Sequence, residues 1–288
     1  MSEKKAVLLP SLIACAVFAS PPSQAASVTL HYGFRDGATY LVKQQYHNVG
    51  SSTTTMNFMG QQQTMESPMN HTSSSSWSAK ASRKGDKVTF QVDYGTQQGG
   101  ERWGDPSGNT GGKIYGNSSA SVIFDLQKGL VSLTTKPADD PIVDMIYRYR
   151  FAWMPPLPKK ALKVGGSFTY DYTMQSGMLT MKGEDEYVLD EVKDGLAYFT
   201  VETRSVMVYD YSKLYQQQEG MPQGMGQMMG SMTLAHKGEG SATFDLKEGM
   251  FVEREMKTAY TTKKAKNPGM TITDMHGTTR DRWEMERR

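Results

Sequence analysis

Polar and apolar residues alternate along most of this chain. In DKVTFQVDY (86–94), Val88, Phe90 and Val92 alternate with Thr89, Gln91 and Asp93, the period of a strand with one buried face. GLAYFTVETRSVMVYDY (195–211) is β-rich in the same way. EGMFVEREMKTAYTTKK and MTITDMHGTTRDRWEME flank Asn267-Pro268-Gly269, a tripeptide suited to turning a hairpin. Serine and threonine fill many outward positions, as in HTSSSSWSAKASRK (71–84), which suits a long antiparallel sheet wet on one face. The period becomes helical once. Asp140-Pro141 forms an N-cap and N1 pair, and Ile142, Met145, Ile146, Tyr149 and Trp153 follow at i, i+3, i+4, i+7 and i+11. Pro155-Pro156 then stops the helix. The pattern predicts a mainly β protein: a curved antiparallel sheet, a half-barrel or open barrel, with one amphipathic helix laid on it.

The chain also repeats itself. SASVIFDLQKGLVS (119–132) matches GSATFDLKEGMFVE (240–253), pairing Phe124-Asp125-Leu126 with Phe244-Asp245-Leu246 and Gly129 with Gly249. RKGDKVTFQV (83–92) matches VKDGLAYFTV (192–201), and DGATYLV (36–42) matches VGGSFTY (164–170). Thr55-Met56…Gly60…Thr64-Met65 has a shorter echo in Thr173-Met174…Gly177…Thr180-Met181. We expect a first β-rich repeat over 26–139, a connecting helix over 140–156 and a second repeat over 157–288. Each half would need the other to cover its apolar face, making one continuous domain.

Residues 1–25 read as a signal peptide: Lys4 and Lys5, an apolar run over 6–19, and a small-x-small site at Ser23-Gln24-Ala25. The single cysteine, Cys15, lies inside that run, where Leu12-Ile13-Ala14-Cys15 also resembles a lipobox. Two routes are therefore open, cleavage before Ala26 or a lipid anchor at Cys15. Both export the chain, to the periplasm or to the envelope surface. No later stretch reaches ~18 apolar residues, so no transmembrane helix is expected. Without residues 1–25, Lys+Arg falls from 32 to 30 and Asp+Glu from 30 to 29, a net charge of +1 that argues against a nucleic-acid partner. The mixed-sign end, RDRWEMERR, reads as a solvated strand edge.

At LPKKALKVGGSFTY (157–170), Leu157-Pro158 followed by Val164-Gly165-Gly166-Ser167-Phe168 resembles the "LP…VGxxW" segment of a bacterial exported β-rich family of unknown function. The paired FDL…G strands resemble that group too, and Phe168 stands where a tryptophan is common. The resemblance implies a strongly curved, half-open sheet similar to lipoprotein-carrier half-barrels. It implies no catalytic residue.

Catalytic signatures are absent. There is no G-x-S-x-G elbow and no H-E-x-x-H, and the five histidines are scattered. Glu184-Asp185-Glu186 and Asp139-Asp140 read as solvated faces or caps, and we expect no enzyme. Methionine stands out, with 21 residues. Met56, Met59, Met65 and Met69 lie near His71; Met221, Met225, Met228, Met229 and Met232 lie near His236. Thioethers are soft ligands that select Cu(I) or Ag(I), and methionine is also the adaptable residue of apolar contacts. The second group has helical spacing, but Gly224, Gly226 and Gly230 each cost about 1 kcal/mol in a helix. Its expected form is a loop, or a helix made on a partner.

The expected function is a non-catalytic envelope binding protein for an apolar small molecule or an envelope protein, without a cofactor. Trp153, Tyr149, Met145, Met225, Met228 and Met229 are its contact candidates. One alternative is a Cu(I) binder using Met221, Met225, Met228, Met229, Met232 and His236. The other is a structural envelope protein.

Overall fold

The computed structural model describes residues 27–58, 61–98, 118–136, 138, 141–151, 154–177, 179–210, 230–266 and 270–288. Strands β2 (Thr39–Phe58), β3 (Gln61–Lys84), β4 (Lys87–Gln98), β5 (Ser119–Asp125) and β6 (Gly129–Lys136) form one antiparallel meander. Strands β8 (Ser167–Ser176), β9 (Leu179–Lys193), β10 (Leu196–Asp210), β11 (Ser231–Asp245), β12 (Met250–Lys266) and β13 (Met270–Arg287) form another. The first strand of one meander pairs with the last of the other, β2 with β13, giving a single 11-stranded sheet with β6 and β8 at its edges.

The expected mainly β, curved, open sheet is what the chain forms, and the alternation dictates its curl. Inward positions are buried on nearly every strand: Tyr40 and Val42, Trp77 and Ala79, Val88 and Phe90, Phe199 and Val201, Trp283 and Met285. A flat sheet would leave this face bare, so it rolls on itself. Tyr32 shows how far: its ring meets Phe124 of β5 at 5.2 Å and Phe244 of β11 at 6.1 Å, strands six places apart in the sheet order.

The outer face is polar and charged. Arg280 and Arg282 of β13 pair with Glu255 and Glu253 of β12 across the strands. RDRWEMERR is thus not a strand edge. Residues 280–284 lie on β13 between β12 and β2, and 285–287 continue along β2, with Trp283 and Met285 turned inward. Strand alternation accommodates the mixed-sign run without an exposed edge.

The helix α1 (Pro141–Phe151) is present, and its position is more specific than a helix laid on a sheet. It packs against β6 and β8, the two free edges. It fills the seam where a closed barrel would pair its first and last strands. Val143, Tyr147 and Phe151 face the core. Trp153 lies outside the described residues, and the Tyr149 side chain is likewise outside them.

One end of the roll is stoppered by two irregular segments. The chain before β2 (residues 27–38) and the chain before β8 (residues 154–166) meet in a two-stranded pairing of β1 (Ser27–Val28) with β7 (Leu162–Lys163). The Tyr32 hydroxyl donates to the Pro155 carbonyl at 2.8 Å. Each segment docks on a turn of the other meander. Gly33 donates to the Gly249 carbonyl at 2.8 Å, while Pro156 packs within 3.4 Å of where a Gly129 Cβ would stand. These are the two FDL…G turns. In one, Asp125 accepts from the amides of Gln127 and Lys128; in the other, Asp245 accepts from those of Lys247 and Glu248. Each turn closes on a left-handed glycine, Gly129 at φ 80° and Gly249 at φ 64°. A side chain there would be strained, and at Gly249 it would also run into the backbone of Gly33.

Candidate functional site

The concave face changes character along its length. At the stoppered end it is aromatic: Phe34 lies 5.0 Å from Phe90 and 5.3 Å from Tyr40, and Phe244 lies 5.1 Å from Phe251. At the far end it is built from thioethers. Met174, Met181, Met207, Met232 and Met275 form a buried cluster with Leu179, Leu234 and Tyr260, against which Met69 and Met145 pack. The register explains the cluster. Met174 lies opposite Met181, Met181 opposite Met207 and Met207 opposite Leu234, one row across four strands. Directly paired side chains on one face stand ~4.5–5.5 Å apart at Cβ, so the row forms a continuous soft wall.

Between the two ends lies a polar belt. Arg254 of β12 donates to Asp185 Oδ2 of β9 at 2.8 Å, with the two side chains 12% and 4% exposed. Two strands separate β12 from β9, and three spacings of ~4.8 Å would hold the backbones roughly 14 Å apart in a flat sheet. The pair therefore forms across the hollow of the roll. The inward positions of β11 nearby, Gly238 and Gly240, carry no side chain to obstruct it. Asp281 accepts from Gln44 Nε2 at 2.9 Å and from Trp283 Nε1 at 2.8 Å. Tyr260 lies across Gly50 and Gly277, whose missing side chains make room for its ring, and donates to Asn48 Oδ1 at 2.9 Å.

The belt and the thioether wall enclose a cavity of about 400 Å³. Asp185, Arg254, Asp281, His236, Ser205 and Thr203 line its polar side; Met145, Met181, Met207, Leu234 and Met275 line its apolar side. Burial raises the Tyr172 hydroxyl to about 12, with a smaller push from Asp185, and raises Tyr46 further, aided by Asp281. These phenols remain protonated hydrogen-bond donors. Burial also lowers the His236 imidazole from 6.5 to about 4, so the ring is neutral at pH 7. Its Nδ1 is buried without a hydrogen-bond partner, as is Asp185 Oδ1.

The depressed histidine makes stability depend on pH. The unfolded chain takes up this proton near pH 6.5 and the folded one only near 4. The contribution of the neutral ring is complete above pH 6.5 and is lost as pH falls toward 4. At pH 5 the loss is about 2 kcal/mol. Urea unfolding of the wild type and of His236→Gln at pH 8 and pH 5 is expected to show the wild type losing about 2 kcal/mol more than the variant between those pH values.

The structure brings together few of the residues expected to act together. Met145 reaches the cavity from α1 and His236 lines it from β11, while Met232 on the same strand is buried in the thioether cluster. The methionine run whose spacing resembles a helix thus ends, at Met232, on a strand. Met221, Met225, Met228 and Met229 lie outside the described residues. In the first methionine group, Met65 is exposed at 53%, Met69 packs on the thioether cluster, and Met59 and the Met56 side chain lie outside what is described. Among the described residues no group of three His, Cys, Asp or Glu side chains is placed to hold a metal ion.

Asp185 and Arg254 were missed. Glu184-Asp185-Glu186 was expected to be a solvated face, yet Asp185 is 3% exposed. The signal was there: Met181, Asp185, Tyr187 and Leu189 share one parity, and three of the four are apolar.

Fold and site together define a mainly β protein whose open, rolled sheet encloses an amphipathic cavity closed at the seam by a helix. No protein-family profile matches the chain, and no curated protein matches its sequence. Among solved structures, an outer membrane channel from Pseudomonas putida F1 aligns with 93% of this chain and 100% of its own, at 7% identity and a TM-score of 0.26. Pseudomonas aeruginosa OccK7 (OpdD) aligns with 87% of this chain and 100% of its own, at 5% identity and a TM-score of 0.19. Neither likeness is close enough to define a shared fold.

Proposed function

We propose that this protein is a non-catalytic binding protein of the bacterial envelope that holds an apolar or amphipathic small molecule in the hollow of its sheet. The observation that carries this reading is the 400 Å³ cavity, walled by unbranched thioethers on one side and buried polar groups on the other. Small-molecule sites are typically mostly apolar hollows of ~300–1,000 Å³ with a few fixed polar groups. Methionine adapts its shape to an occupant better than branched side chains do. The charged outer face supports a molecule standing in water, since a lipid-spanning barrel would turn its apolar positions outward. The leader-like residues 1–25 support export.

A second reading, Cu(I) or Ag(I) held by thioethers, is favoured by the Met174–Met181–Met207 row and the unpartnered Nδ1 of His236. We prefer the organic ligand because the same methionines pack against Leu179, Leu234 and Tyr260 as an apolar wall.

The test uses the full chain and the fluorescent apolar probe N-phenyl-1-naphthylamine. Saturable enhancement is expected with the wild type. Ser205→Trp and Thr279→Trp each place an indole in the cavity and are expected to abolish enhancement while near-ultraviolet circular dichroism stays native. Equal enhancement in all three proteins would mean that the probe sits elsewhere and would remove the reading.

A further inference from the structure

We propose that the cavity selects an amphipath with an uncharged, hydroxyl-bearing head and one apolar tail of about a dozen carbons. This rests on the binding reading above and names the class of ligand that the same site takes.

The head is specified by the belt. Asp185 is 3% exposed and lines the cavity; Arg254 satisfies its Oδ2, while its Oδ1 is buried with no partner. A carboxylate oxygen only accepts, so the atom calls for a donor. A buried acceptor left unmade is unfavourable, which turns the vacancy into a preference for a ligand that fills it. His236 Nδ1 is a second buried, unpartnered atom in the same wall. A hydroxyl both donates and accepts, and so suits a carboxylate oxygen as well as either tautomer of a neutral imidazole.

Charge argues against the ionic alternatives. The wall carries Asp185, Asp281 and Arg254, with imidazoles and phenols besides. The only cation among those three is already bound to Asp185 at 2.8 Å. An anionic head would have to share the Arg254 guanidinium with Asp185 and lie beside two carboxylates, losing its hydration as it does so. An ammonium head would be drawn by the excess negative charge. It would find a single free carboxylate oxygen, because both oxygens of Asp281 are engaged by Gln44 and Trp283. Taking an ion out of water costs far more than one such contact returns.

The tail is specified by the wall and the volume. At the roughly 30 Å³ that a water molecule occupies in the liquid, 400 Å³ holds about a dozen groups of methylene size. That is room for one such chain. Met181, Met207 and Met275 line the apolar side.

The test is displacement of N-phenyl-1-naphthylamine from the full chain at pH 8 by four ligands sharing a tail: 1-dodecanol, its methyl ether, dodecanoate and dodecylamine. The alcohol is expected to compete best, and the ether, which cannot donate, about tenfold or more weakly. Dodecanoate and dodecylamine are expected to fall below the alcohol as well. Equal competition by ether and alcohol would mean that Asp185 Oδ1 takes no part in selecting the head and would overturn the proposal. So would tighter binding of either ion. In those cases the probe still binds and the cavity reading stands. Failure of the probe to bind at all would remove both.

Discussion

Replacing Arg254 with methionine is expected to destabilise the protein by about 3–5 kcal/mol, measured by urea unfolding at pH 7.5. The size follows from what is left behind. Asp185 is 4% exposed at its side chain and keeps no other hydrogen bond to either oxygen, so the variant buries an unpaired carboxylate. The pair itself need not be worth that much. Its attraction is opposed by the desolvation of two ions, and an apolar pair of similar volume often does as well. The double variant Asp185→Leu, Arg254→Met is therefore expected to recover most of the loss. Recovery in the double variant separates a buried charge from a lost contact. A single variant within about 1 kcal/mol of wild type would place the pair in water instead of across the hollow, as exposed pairs behave.

Phe34→Ala is expected to cost about 3–5 kcal/mol as well, although residue 34 lies in an irregular segment before the first long strand. Phe34 is fully buried and stacks or meets edge-on with Tyr32, Tyr40, Phe90 and Phe124, at 5.0 to 6.1 Å. Truncation removes a ring from the densest part of the core and leaves a cavity the sheet cannot close, because the neighbouring rings are held on strands. The segment carrying it crosses to the opposite meander at Gly249, so the loss is expected to loosen both halves in one transition. Coincident loss of tryptophan fluorescence and far-ultraviolet dichroism checks this, since Trp77 on β3 and Trp283 on β13 are buried in the core, one in each meander. Two separated transitions would show that the meanders fold independently.

The strands were legible because alternation is a local signal. Val88, Phe90 and Val92 announce a half-buried strand from nine residues of sequence, and they are buried as expected. The helix was legible for the same reason, through Asp140-Pro141 and the apolar stripe. Its placement in the seam was not, because nothing between 141 and 151 encodes which strands become edges; that follows from β2 pairing with β13, more than two hundred residues apart in sequence. The candidate site was legible in composition and not in position. Methionine was the right residue to notice, and Met145 was a correct contact candidate, yet the other thioethers lining the cavity, Met181, Met207, Met256 and Met275, come from four separate strands. The conspicuous run over 221–229 lies outside the described residues. The ion pair was hidden by its setting: Asp185 stands between two glutamates that face outward, and only the parity of the strand separates it from them.

The hollow of the sheet is proposed to hold an organic ligand. Native mass spectrometry of the protein purified from its own cells without detergent tests it most directly. A mass above that of the polypeptide is expected, carried by an organic adduct of single-chain size, removed by solvent extraction and absent from Ser205→Trp prepared in parallel. The bare polypeptide mass in the wild type, or a mass increment of copper alone, would contradict it.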